Sequence, residues 1–327
     1  MLNRWFRKPH RIWYIAAPLL TAGWFSYLAP QTEAQSKPTV VATTSILCDI
    51  TQRIAQNTIA LKCLLNPGND PHTYTPKPGD RKAIETAALI LYGGYDFEPD
   101  LIKLIQSTSN RSPKVAVYEV AVPNPIMGGH SHSHGDGGHS HSGGTPDPHV
   151  FHSAENGAKL VQVVSQQLTK LQPTQASRYQ ANAKKLTNEL TQIHTWIRSQ
   201  IQTIPFKQRW IISTHDAFEY YARTYNLGLA PTLQGISTEE RPTAFRVATL
   251  VREIKTLGVS TIFAEASVNP KLITTVAKEA KVKVSPRKLY ADGIGTAGSE
   301  ASTYPKMLIA NTRAIVEGLG GKYTPLQ

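Results

Sequence analysis

The stretch Pro173–Pro205, PTQASRYQANAKKLTNELTQIHTWIRSQIQTIP, carries the longest helical pattern in the chain. Apolar residues recur at Tyr179, Ala183, Leu186, Leu190, Ile193, Ile197, Ile201 and Ile204, in the steps of four and three that mark one helix face. No glycine or proline interrupts the run between its two ends. A helix of some thirty residues is roughly 45 Å long at about 1.5 Å per residue, more than a compact domain requires. Its central place suits a rigid strut between two halves, with His194 reading as a solvated side chain upon it.

Both flanks alternate between strand and helix patterns. Upstream, Thr39–Thr44, Ile59–Leu65, Leu89–Tyr92 and Lys114–Tyr118 read as strands. Between them lie helices over Ile46–Ala55, Arg81–Ala88 (capped by Asp80) and Phe97–Gln106, and Ser153–Leu171 adds another before the strut. Downstream, strands at Arg209–Thr214, Leu229–Leu233 and Val259–Phe263 and an extended segment at Val282–Leu289 alternate with helices at Ala217–Tyr225, Pro242–Leu257 and Pro270–Ala280. Ser302–Gly318 forms a closing helix. The predicted fold class is α/β: two lobes, each a mostly parallel sheet flanked by helices, joined by one long rigid helix. The expected limits are 35–172 for the first lobe, 173–205 for the linking helix and 206–327 for the second lobe.

Residues 1–34 stand apart. Arg4, Arg7, Lys8 and Arg11 precede an apolar run from Ile12 to Ala29, and Thr32-Glu33-Ala34 places small residues at the two positions that a signal peptidase reads. This is the form of a cleavable export signal, so a periplasmic protein is expected. No cysteine follows the apolar run closely, so the mature chain is expected to be free of a lipid anchor. The formal charge of +12 falls to +9 once the four bases and one acid of this segment are removed. The remainder is spread along the chain without a dense basic run or a nucleic-acid-binding motif, which argues against a nucleic-acid partner.

Cys48 and Cys63 are the only cysteines, and both lie in the exported part. An even count in an oxidising compartment favours a disulfide, and no second pair exists to complete a thiolate zinc site. Histidine is distributed far less evenly. Between Gly128 and Gly144 lie His130, His132, His134, His139 and His141, spaced by glycine and serine. Clustered imidazoles at neutral pH suit borderline transition metals, zinc above all. A segment without core-forming residues is nevertheless a poor scaffold, because ordering it would cost on the order of 1 kcal/mol or more per residue. It reads as a low-affinity collector.

Single residues at the ends of the predicted strands form a better site. His72 follows the second strand, His149 follows the histidine-rich segment, His215 follows Trp210–Thr214, and Asp292 follows the extended segment that ends near Leu289. Ligands of open α/β sheets bind outside the carboxyl ends of the strands, so two donors from each half could hold one cation between them. Three imidazoles and a carboxylate suit zinc, with manganese, which prefers more oxygen, as the alternative. His152 is a weak auxiliary position expected to face solvent or the helix start.

At these residues the chain resembles the metal-binding solute-binding proteins of zinc and manganese ABC transporters (the cluster A-I type). Asn69-Asp70-Pro71-His72-Thr73-Tyr74-Thr75-Pro76, Asp147-Pro148-His149, Thr214-His215-Asp216-Ala217-Phe218 and Ala291-Asp292-Gly293-Ile294-Gly295 match that family's four ligand motifs in order. Phe263-Ala264-Glu265-Ala266-Ser267 resembles its Glu-Ser segment, which implies an acid at Glu265 close to the site. Phe151-His152 departs from the pattern, since relatives commonly have tryptophan there. The resemblance implies a non-enzymatic, monomeric receptor that holds a metal between its lobes and delivers it to a membrane permease. A secreted zinc hydrolase using Glu265 as base, and a periplasmic metal buffer without a permease, are the competing readings.

Overall fold

The computed structural model describes residues 1, 2, 5, 6, 8–13, 37–128 and 144–326. The expected signal falls largely outside these residues, and His130, His132, His134, His139 and His141 fall wholly outside them.

The first lobe is built in the predicted alternation. β1 (Thr39–Ala42) leads to α1 (Ser45–Ala55), whose start is capped by the Thr44 hydroxyl accepting the Leu47 N–H at 3.2 Å. β2 (Ala60–Cys63), α2 (Pro78–Thr86), β3 (Leu89–Tyr92), α3 (Pro99–Ser107) and β4 (Lys114–Ala116) follow, and the strands pair in parallel in the order β2-β1-β3-β4. Two local expectations change. Asp80 lies inside the first turn of α2, where its carboxylate accepts the Lys77 N–H at 2.7 Å and the Tyr74 hydroxyl at 2.9 Å. Val117 and Tyr118 leave the fourth strand for a helical turn, α4 (Val117–Ala121), in which the Tyr118 N–H still donates to Gly93 O. A short apolar run does not distinguish strand from buried helix.

A small antiparallel pair, β5 (Met127–Gly128) and β6 (Thr145–Pro146), precedes a 3-10 turn over Val150–His152 and then α5 (Ala154–Leu171). The long helix, α6 (Ala176–Gln202), is 27 residues, about 40 Å. Its start lies beyond Pro173–Gln175, which form a separate 3-10 turn. The predicted stripe is the buried one, from Tyr179 through Leu190 to Ile201. His194 is only partly exposed, its ring 5.5 Å from that of Tyr225, and so differs from the solvated side chain expected.

In the second lobe, β7 (Trp210–Ile211), α7 (Glu219–Tyr225), β8 (Gly228–Leu229), α8 (Ala244–Leu257), β9 (Thr261–Ile262), α9 (Lys271–Ala280), β10 (Lys283–Val284) and α10 (Tyr304–Gly318) complete the chain. β7 pairs with β8 and β9 with β10, all in parallel, and the Phe263 N–H to Ile212 O bond joins the two pairs. These strands are shorter than the apolar runs suggested. Beyond Ile212 a side chain takes over part of the backbone bonding: Glu265 accepts the N–H groups of Thr214 and His215 at 2.7 and 3.0 Å.

Three buried clusters result. One lies on the outer face of the first sheet around Val41, Ile90 and Leu101, and one fills the second lobe around Leu250, Ile262 and Ile273. The largest is continuous from Ile46 and Leu160 through α6 to Phe263, Leu289 and the α10 residues Met307 and Ile315. Cys48 and Cys63 form the expected disulfide, tying α1 to the end of β2. With a sequence separation of 15 between the cysteines, loop closure contributes about 3 kcal/mol in the chain-entropy model.

Candidate metal centre

The two sheets present their carboxyl ends to one another, and the four residues singled out at strand ends converge there. His72, His149, His215 and Asp292 are all buried, and one donor atom from each lies within 4.8 Å of the others. Oδ1 of Asp292 is the hub: Nε2 of His215 is 3.1 Å from it, Nε2 of His149 3.4 Å and Nε2 of His72 3.6 Å. The two nitrogens of His149 and His215 are themselves 3.4 Å apart. Metal bonds of about 2.0–2.1 Å in a tetrahedron set donor-to-donor edges of about 3.3–3.4 Å, so these spacings suit a small dication.

The surroundings aim the donors. Asp147 Oδ1 lies 2.8 Å from His149 Nδ1 and also accepts the His149 N–H at 2.9 Å. Glu265 Oε2 lies 2.6 Å from His215 Nδ1. Each carboxylate accepts a hydrogen bond from the Nδ1–H, which leaves the Nε2 lone pair facing the centre. Ser267 donates its hydroxyl to Asp292 Oδ2 at 2.7 Å, leaving Oδ1 free. Nε2 of His72 and Oδ1 of Asp292 are buried with no hydrogen-bonding partner among the described residues. Converging lone pairs around a carboxylate oxygen, shut away from water, require a cation or protons between them.

The titration behaviour of the metal-free site follows from this crowding. Burial alone would push His215 down, yet the charges of Glu265 and Asp292 hold it well above its ordinary value. Burial likewise opposes protonation of His149, and its hydrogen bond to Asp147, with the Asp292 carboxylate close by, overcomes it and raises its pKa. Asp292 would be raised by burial, but the charge of His215 and the close approach of the three histidine Nε2 atoms hold it well below the carboxylate range.

His72 is held differently. Its backbone N–H donates to Asp70 Oδ1 at 3.0 Å, while Asp70 Oδ2 accepts the Thr238 hydroxyl at 2.6 Å from across the cleft. The loop that carries His72 is thus tied to the opposite lobe. Phe97 packs edge-on against both His72 and His149, with ring centroids 5.1 and 5.4 Å away, and forms an apolar wall.

His152 does not face solvent. It is fully buried, its Nε2 is 2.8 Å from Ala291 O, and its ring lies 4.5 Å from that of Phe218. Burial, with the charge of His149 beside it, pushes its pKa down to about 3. It therefore braces the segment before Asp292 as a neutral ring. Phe151, at the position that departs from the family pattern, closes the corner against Phe97 and Tyr118. Asp147 and Phe97 had no role in the sequence reading. Asp147 was open to inference from its place two residues before His149, where an aspartate bonds its own backbone; Phe97 carried no such signal.

A family model described as zinc-uptake complex component A, periplasmic, matches residues 40–318. The metal ABC transporter substrate-binding lipoprotein SsaB of Streptococcus sanguinis is 31% identical over 290 residues, covering 87% of this chain and 90% of that protein. The manganese-binding lipoprotein MntA of Bacillus subtilis is 30% identical over 284 residues, covering 86% and 89%. Among solved structures, the periplasmic zinc binding protein TroA from Treponema pallidum matches with a TM-score of 0.79 at 28% identity, covering 87% of this chain and 99% of that one. An extracytoplasmic location agrees with these names. The expectation of a chain free of a lipid anchor is overturned by them: SsaB and MntA are named lipoproteins, which are held at a membrane, and cysteine placement is no ground for setting this chain apart. With the family model spanning most of the sequence and relatives at this identity across most of its length, the chain belongs to the zinc-uptake complex component A family of metal ABC transporter substrate-binding proteins, a family of carriers rather than enzymes.

Proposed function

We propose that the protein captures Zn2+ between its lobes through His72, His149, His215 and Asp292 and, as a monomer, delivers it to the membrane permease of an ABC importer. On this reading residues 35–172 and 206–327 are the lobes and 173–205 the linking helix. The observation that carries the proposal is the convergence of three Nε2 atoms within 3.1–3.6 Å of one buried carboxylate oxygen. Three nitrogens with a single oxygen favour zinc over manganese, which prefers oxygen donors and a higher coordination number. Manganese is the second reading, supported by the manganese-binding name of the MntA relative. A hydrolase is disfavoured because both oxygens of Glu265 are engaged by Thr214 and His215, leaving no free base to activate water.

Calorimetric titration of the metal-free protein tests this. One tight zinc site is expected, retained when residues 129–144 are deleted and lost in His72→Ala. The loop histidines are expected to add only weaker sites, which the deletion removes. Tight binding that survives His72→Ala would sink the assignment.

The pH dependence has a defined sign. A metal needs the Nε2 lone pairs, whereas the carboxylates raise the proton affinity of His149 and His215 above the ordinary pKa of 6.5. Lowering the pH fills those positions with protons, so zinc affinity should weaken steadily as pH falls, beginning above 6.5 rather than below it. Proton release on binding, read by titration in buffers of different ionisation enthalpy, checks this. An affinity that stays flat from about pH 7.5 to pH 5 rules out the histidine set.

A further inference from the structure

We propose that Ser267 is a positioning residue that sets the metal preference of the site by keeping Asp292 to a single oxygen. The inference rests on the metal-binding reading above and concerns which metal that site prefers. Ser267 and Glu265 lie two residues apart on the segment that follows β9, where Glu265 bridges in parallel to Leu289 and the chain then bends over Ala266–Val268. That segment is fixed by pairing with the strand before Asp292: Leu289 N–H donates to Ala264 O at 2.9 Å and Ala266 N–H to Leu289 O at 2.8 Å. One short stretch therefore supplies the outer contact of both second-lobe donors, Glu265 for His215 and Ser267 for Asp292.

The two contacts do different work. Glu265 chooses the tautomer of an imidazole. Ser267 chooses how many oxygens a carboxylate offers. Its hydroxyl occupies Asp292 Oδ2 at 2.7 Å, whereas Oδ1 has no partner and faces the three imidazoles. A carboxylate hydrogen-bonded on its second oxygen binds a metal through the first, so the donor count stays at four, which zinc accepts. Manganese gains from further oxygen ligands and loses most when Oδ2 is withheld. A cavity of about 210 Å³ lined by residues including Gly68, Asn69, Ser267 and Asp292 lies beside this pair. The hydroxyl is the group that holds Oδ2 back.

Ser267→Ala and Ser267→Thr in the full chain separate this role from a merely structural one. Competition titrations with Zn2+ and Mn2+ should show the zinc-to-manganese affinity ratio falling on the order of tenfold in Ser267→Ala, through tighter manganese binding, and returning in Ser267→Thr, which keeps the hydroxyl. The visible spectrum of Co2+ bound to Ser267→Ala should lose the intense bands of four-coordinate cobalt and gain the weaker ones of five-coordinate cobalt. A ratio and a cobalt spectrum that match the parent overturn the role of Ser267 while leaving the metal site standing. Equal weakening of both metals would likewise overturn it, since Ser267 would then only orient Asp292. Failure of the parent protein to bind either metal tightly would overturn the functional reading itself.

Discussion

His215→Ala is expected to lower zinc affinity by on the order of 10³-fold, beyond the roughly 10–100-fold that loss of an outer-sphere partner costs. Nε2 of His215 is the nitrogen nearest the Asp292 oxygen, and without it only three donors remain. The fold should survive. Glu265, fully buried beside it, keeps its two backbone donors, the N–H groups of Thr214 and residue 215, which do not depend on the imidazole. The variant should therefore melt cooperatively without metal yet show little of the zinc-dependent rise in melting temperature that a tight ligand gives the parent, about 4 kcal/mol at a thousandfold excess over Kd. Competition against a chromophoric chelator measures the affinity. An unchanged Kd would show that the four-residue cluster is not the high-affinity site.

Leu190→Ala is expected to be the most damaging change away from the cleft. Leu190 is fully buried near the middle of α6, in the cluster that both lobes share. Removing its branched side chain forfeits transfer energy and leaves a cavity, a loss of roughly 2–5 kcal/mol. In a chain of this size that corresponds to a fall in melting temperature of roughly 3–8 °C. Zinc affinity well below the transition should be that of the parent, because none of the four donors belongs to α6. Thermal melts of the metal-free variant check it, and a melting temperature equal to the parent's would mean that the stripe is not packed as described.

Much of this was legible in the chain. The stripe from Tyr179 to Ile201 declared itself because a long buried helix must repeat its apolar residues at a fixed interval. His72, His149, His215 and Asp292 were legible because chemistry in α/β folds gathers where strands end. What stayed hidden depends on partners distant in sequence. Beyond the short strand β7, a glutamate 50 residues away takes the backbone N–H groups of Thr214 and His215. His152 was misplaced at the surface because nothing local reveals that Ala291, 139 residues on, supplies its hydrogen bond and Phe218 its ring contact. Asp80 was placed one turn too early, since a carboxylate at the start of a helix can serve its first residue from inside as well as from before it.

The continuous cluster that runs from α1 through α6 to α10 has a consequence for biogenesis. Its residues come from positions as early as Val40 and as late as Leu319, so this shared part of the interior is completed only when both halves are present, although each also has a smaller cluster of its own. A polypeptide delivered N-terminus first acquires α1, α5 and α6 long before α10, whose Tyr304 hydroxyl bonds Phe151 O and whose Met307, Leu308 and Ile315 fill the remaining volume. Until those last residues arrive, the apolar stripe of the long helix stays uncovered in part, a state prone to association. Final closure of this shared cluster thus waits for α10.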